Sequence, residues 1–196
     1  MEVYFDGNAT TFMSDETIQY MCKWMNLGNV ASNHPIAIKS RAMIEDFKNR
    51  IFTDYNLRDH ELFFTSGGSE SNSFIVSGIV RGYYKKFKSI PHLMISSTEH
   101  KSLIMACEQY ASEGFAELTY IPILMIRGRH VADMEFIKTN IKSNTCFISV
   151  MAANNETGAF YNTDDVCKIS SEHNILSYID AVQVFGKYRG QNLTDA

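Results

Sequence analysis

Short apolar runs alternate with helix-period segments from residue 62 to residue 180, and no other feature constrains the fold as tightly. Leu62-Phe63-Phe64, Leu93-Met94-Ile95-Ser96, Glu117 to Ile121, Cys146 to Met151 and Ile175 to Ile179 read as strands. The segment from Ser69 carries Ile75, Gly78, Ile79, Gly82 and Tyr83 on one helical face. Lys101 to Ala111 does the same with Leu103, Ile104, Cys107 and Tyr110, and Gly114 marks its exit. Asp133 caps a short helix through Ile137 and Ile141, and Thr163 caps another with Asp164 and Asp165 at its positive end. Strand, helix, strand in succession predicts an α/β fold, a mostly parallel sheet flanked by helices with right-handed crossovers.

The first sixty residues are read more loosely. Val3 to Phe5 suits a short strand, followed by the polar turn Asp6 to Thr11. Ser14 caps a helix with Asp15 and Glu16 in its first turn and a buried stripe of Ile18, Met21, Cys22 and Met25. After a loop from Gly28 to Pro35, a helix from Ile36 to Phe52 points Ala37, Met43, Ile44, Phe47 and Ile51 inward.

Composition excludes several classes. The net charge is −4 with no basic tract, so there is no electrostatic footprint for nucleic acid. No uncharged apolar run reaches the roughly 18 residues a membrane span needs. The acidic, strand-like start is unlike a signal peptide. Cys22, Cys107, Cys146 and Cys167 lack C-x-x-C spacing and sit in apolar patterns, as buried free thiols of a reducing compartment do. A soluble, cytoplasmic protein without a metal site is expected.

Ligands of open parallel sheets bind beyond the carboxyl ends of the strands. The polar interruptions of this chain fall there: Gly67-Gly68-Ser69, Thr98-Glu99-His100, Asn154-Asn155, and Asp180 with Gln183. Two glycines and an N-cap serine before a helix make a phosphate cradle. A turn of this kind is also common without a ligand, and it matches neither G-x-G-x-x-G nor G-x-x-x-x-G-K-[ST]. By itself His100 is equally consistent with a surface imidazole, Asn154-Asn155 with a turn, and Asp180 with a cap or a salt bridge. Together they form a cradle, an imidazole, an amide and a carboxylate at one sheet edge.

Six segments in order carry a resemblance: Asp6-Gly7-Asn8-Ala9-Thr10-Thr11, Gly28-Asn29, Thr65 to Asn72, Thr98-Glu99-His100-Lys101, Asn154-Asn155-Glu156-Thr157-Gly158, and Asp180 to Lys187. They resemble successive motifs of NifS/IscS-type cysteine desulfurases, class V, fold-type-I enzymes dependent on pyridoxal 5′-phosphate (PLP). The resemblance implies that Gly68 and Ser69 hold the PLP phosphate, with Ser69 standing where the family usually has Thr. It implies that His100 stacks on the pyridine ring and relays protons as the catalytic residue. Asp180 would pair with the ring nitrogen, and Asn155 and Gln183 would contact the substrate side and the phenolic oxygen. Thr10, Thr11 and Asn29 match segments bordering the family's active-site entrance. Val30 replaces a frequent Pro and His34 arrives one residue early, so contacts from that loop depart from the pattern.

The resemblance also implies residues this sequence does not match: a Schiff-base lysine, a persulfide-carrying cysteine and a carboxylate-binding arginine, all placed beyond residue 196. Lys187 and Lys101 match neither role. On that basis residues 1–14 form an N-terminal segment and residues 15–196 a partial PLP-binding large domain, truncated before its last strands. The strand at residues 62–64 would then lack a sheet partner, a hazard for its backbone groups. The implied activity is conversion of L-cysteine to L-alanine with sulfur passed through a persulfide to a sulfur-acceptor protein, as in iron–sulfur cluster assembly, by a homodimer. This chain alone is expected to be inactive. Alternatives are another class V PLP enzyme, such as a selenocysteine lyase or an aminotransferase, and a truncated, non-catalytic interaction module.

Overall fold

A computed structural model describes residues 3–57 and 59–187. The elements run α1 (Asp15–Trp24), α2 (Pro35–Asp54), α3 (Gly68–Phe87), β1 (His92–Ser96), α4 (Lys101–Ser112), β2 (Glu117–Ile121), β3 (Ile123–Ile126), β4 (Arg129–Ala132), α5 (Met134–Asn140), β5 (Thr145–Ser149), α6 (Thr163–Glu172) and β6 (Leu176–Tyr178). They fall into two units divided between Phe63 and Phe64.

The first unit contains α1 and α2. Ser14 caps α1 as expected, its Oγ accepting from the Thr17 amide at 3.2 Å. The predicted buried stripe is not buried: Ile18, Met21, Cys22 and Met25 are all exposed. Two helices without a sheet offer little surface against which such a stripe can leave water. In α2, His34 caps by accepting from the Ala37 amide through Nδ1 at 3.2 Å, and Pro35 opens the helix. Ala37 is buried; Met43, Ile44 and Ile51 are half-buried, and Phe47 is exposed. Val3 to Phe5 is not a strand. The Tyr4 hydroxyl donates to the carbonyls of Asp6 and Thr10, so this segment folds back on the polar turn instead of pairing.

The second unit holds a four-stranded, all-parallel sheet in the order β2-β1-β5-β6. Its strands obey a period of two. Leu93, Ile95 and Phe147 face a core with Val76 and Val80 of α3 and Leu103 and Cys107 of α4. Met94 and Ile148 face the opposite core with Ile137 of α5 and Val166 and Ile169 of α6. Helices therefore cover both faces, and all four carboxyl ends open toward one edge.

Several local expectations change. Leu62-Phe63-Phe64 is not a buried strand: it joins no sheet, and Phe63 and Phe64 are 70% and 59% exposed. Among the described residues no strand pairs with it, and without a ladder an extended run has nowhere to satisfy its backbone. Helix α3 is capped at Gly67 without a side-chain hydrogen bond, so Ser69 is a first-turn residue and not the N-cap. Its buried face is Asn72, Val76 and Val80, with Ile75, Ile79 and Tyr83 on the half-buried flank. Thr163 likewise begins α6, whose N-cap is Asn162. That side chain is engaged elsewhere, accepting from the Ala132 amide at 2.8 Å. The structure adds an antiparallel hairpin, β3–β4, which turns on Arg127 and Gly128, both at positive φ (51° and 78°), as tight hairpin turns require.

Candidate active site

The loops that leave β1, β5 and β6 are bonded to one another beyond the sheet. The Val150 amide donates to the Tyr178 carbonyl at 3.3 Å, and the Ala152 amide to the Asp180 carbonyl at 2.9 Å. Asn154 crosses to the β1 loop, its Nδ2 donating to the Thr98 carbonyl at 3.2 Å. Its Oδ1 accepts from the amides of Glu156 and Thr157, which builds the Asn154–Gly158 turn. The start of α3 closes the ring: a Cβ placed on Gly68 would stand 3.2 Å from Cγ2 of Val182. Gly68, His100, Asn154 and Asp180 thus stand on mutually contacting loops at one sheet edge.

The individual residues differ in exposure. Asp180 is buried at 7% exposure, and its Oδ1 accepts from the Val182 amide at 3.0 Å. Gly68, Asn155 and Gln183 are half-buried, and Gln183 Oε1 accepts from Lys187 Nζ at 3.0 Å. Ser69 and His100 are exposed. His100 is the N-cap of α4: its Nδ1 accepts from the Ser102 amide at 3.2 Å and lies 2.7 Å from Ser102 Oγ. Glu70 reaches back to accept from the Ser66 amide, which holds its carboxyl below the usual range and fixes the turn before Gly67.

Three residues take part in ways the sequence does not show. Glu99, 5% exposed, accepts through Oε1 from Ser96 and Ser149 at 3.2 and 3.1 Å. Burial pushes its carboxyl up to about 7; the neighbouring Asp180 charge adds to the rise, while the two serines and the Met151 amide oppose it. Asn72 is fully buried and bridges two elements, donating to Ser102 Oγ at 2.9 Å and accepting from the Tyr178 hydroxyl. Tyr178 stacks on Phe147 with ring centroids 5.9 Å apart. A polar residue at a helix position flanked by Val76 and Val80, one and two turns on, is the signal that marks Asn72.

The cysteines offer no activated thiol in the second unit. Burial raises Cys107 to about 12 and Cys146 to about 11, and raises Cys167 as well. All four are free, but Cys22 is exposed, contrary to its expected burial, because the α1 stripe is uncovered. Among the described residues no helix is long and apolar enough to cross a membrane.

Comparison with known proteins gives the family and the fold. The family model described as aminotransferase class-V matches residues 3–191. The cysteine desulfurase IscS of Buchnera aphidicola subsp. Schizaphis graminum is 33% identical over 190 residues, covering 94% of this chain and 45% of the relative. A solved NifS-like protein superposes with a TM-score of 0.84 at 30% identity, over 95% of this chain and 50% of that one. SspA in complex with cysteine matches with the same TM-score at 28% identity, over 94% of this chain and 52% of its own. The chain spans about half the length of the curated relatives it matches.

Proposed function

This chain belongs to the class-V aminotransferase family, and from that premise we propose that it supplies the PLP-holding face of a cysteine desulfurase. Enzymes of this family depend on PLP, and the residues present fit that group. The helix start at Gly67-Gly68 carries no side-chain cap, so its amides and dipole are available to a phosphate. A Cβ at position 68 would stand 3.2 Å from Val182 Cγ2, a tight contact that glycine avoids. A buried carboxylate at Asp180 suits a protonated pyridine nitrogen. The observation that carries the reading is the junction of that helix start with the Asp180 segment, beside the loop of His100.

When bound, PLP supplies the electron sink for a substrate carbanion. Asp180, fixed through Oδ1 by the Val182 amide, would keep the proton on the ring nitrogen. Gly68 and Ser69 would grip the phosphate, and His100 would lie against the ring and handle protons through Nε2, since Nδ1 is already engaged by Ser102. Asn155 and Gln183 would orient the substrate side and the phenolic oxygen. L-cysteine is the substrate we assign, supported by the IscS relatives and by cysteine as the ligand of SspA. Transfer of its sulfur to an acceptor protein, a homodimeric state and a cytoplasmic setting belong to the same proposal.

Binding tests it directly. PLP titrated into the chain is expected to saturate and to shift the amide resonances of Gly68, Ser69, His100 and Asp180. Asp180→Ala should weaken binding at least about tenfold, the scale of one lost charge-assisted hydrogen bond. Saturable binding that leaves those resonances still, or that Asp180→Ala does not alter, would refute the assignment.

A further inference from the structure

His100 stands at one end of a hydrogen-bonded chain that crosses three elements. The Tyr178 hydroxyl of β6 donates to Asn72 Oδ1. With its oxygen so occupied, the Asn72 amide turns its NH2 to Ser102 Oγ at 2.9 Å. A serine oxygen that receives a hydrogen there is free to send its own to His100 Nδ1, 2.7 Å away. The Ser102 main-chain amide donates to the same Nδ1 at 3.2 Å. Two donors converge on one ring nitrogen, so that nitrogen is an acceptor and the hydrogen of the neutral ring sits on Nε2.

We propose that Tyr178, Asn72 and Ser102 form a positioning relay that locks the neutral His100 ring as its Nε2–H tautomer, a fixed hydrogen-bond donor toward whatever occupies the site. The inference rests on the PLP reading only for the identity of that occupant. Its ordering power comes from the far end. Tyr178 is held by its stack on Phe147, which is 1% exposed, and Asn72 is equally buried, so the far end of the chain is anchored in the core while the Tyr178 hydroxyl donating to Asn72 Oδ1 leaves the Asn72 NH2 for Ser102. A ring gripped in this way offers Nε2–H first. Taking up a proton at Nδ1 would require breaking the α4 cap and reversing the serine hydroxyl. His100 is therefore preset to donate and to stack, and any proton it moves passes through Nε2.

Nitrogen-15 imidazole spectra of the cofactor-free chain above neutral pH read the tautomer directly. The expected result is a pyridine-like Nδ1 and a pyrrole-like Nε2, with Nε2–H favoured at least about tenfold by two hydrogen bonds. Asn72→Asp presents an acceptor to Ser102, which lets the hydroxyl turn away from Nδ1, and the Nδ1–H share should rise several-fold. Tyr178→Phe removes the anchor from the Asn72 amide and should move the ratio the same way, by roughly threefold; it serves where the aspartate variant fails to fold. A wild-type ring that is mainly Nδ1–H, or variants that fold and keep the wild-type ratio, would overturn the relay. PLP titration of the same samples separates the two proposals. Binding with the wrong tautomer defeats the relay alone, and the expected tautomer without binding defeats the cofactor reading alone.

Discussion

Replacing Glu99 by Gln isolates the cost of a carboxyl sealed beneath the site. In the fold its titration lies at about 7 against an ordinary 4.5, chiefly because burial disfavours the charged form. Between those values the folded chain holds a proton that the unfolded chain has released. Stability from this group is therefore complete below 4.5 and is lost as pH rises toward 7. At about 1.4 kcal/mol per pH unit, the gap corresponds to roughly 3 kcal/mol. No discount for solvent screening applies, since Glu99 is 5% exposed. Glutamine keeps an oxygen for the Ser96 and Ser149 hydroxyls and cannot ionise. Urea unfolding followed by circular dichroism, at about pH 4 and about pH 8, gives the comparison. The two proteins should be nearly equal at the lower pH, with Glu99→Gln more stable at the higher one by as much as about 3 kcal/mol. Histidines and carboxylates remote from Glu99 titrate in both proteins and cancel in the difference, whereas Asp180, whose charge acts on Glu99, is part of the effect being measured. A difference that does not change with pH would refute the reasoning.

Two further outcomes follow from the same structure. Gly68→Ala puts a methyl group 3.2 Å from Val182 Cγ2; that exposed side chain can give by a few tenths of an ångström, so folding should hold while affinity for PLP drops, read by titration of the folded variant. A thiol reagent should label exposed Cys22 first and leave Cys107 and Cys146 largely unreacted until denaturant is added. Comparable rates at all of these positions in the native protein would contradict the burial described.

Much of this arrangement could be read from sequence, and the exceptions share a cause. Leu93 to Ser96 and Glu117 to Ile121 announced themselves because both faces or alternate positions are apolar, and the polar residues after the strands had to fall at one edge of a parallel sheet. Leu62-Phe63-Phe64 reads the same way locally, yet a strand exists only where another strand accepts its bonds. The α1 stripe failed for the parallel reason that an apolar face is buried only by a neighbour. The expected face of α3 is about one position out of phase, because a face through Gly78 and Gly82 misses Val76 and Val80, which do the packing. Glu99 reads as a loop charge; only the serines at the ends of β1 and β5 reveal it as a buried acceptor. The bonds from Asn72 to Ser102 and Tyr178 leave no local pattern at all.

The Tyr178–Asn72 bond joins residues 106 positions apart. Contacts of such long range form late, since a large loop must close before they contribute anything. During synthesis α3 and α4 can assemble around β1 while the imidazole at residue 100 still turns about its helix cap. Its orientation is set when β6 docks, so the sheet edge, more than any single loop, is what makes the ring a directed group.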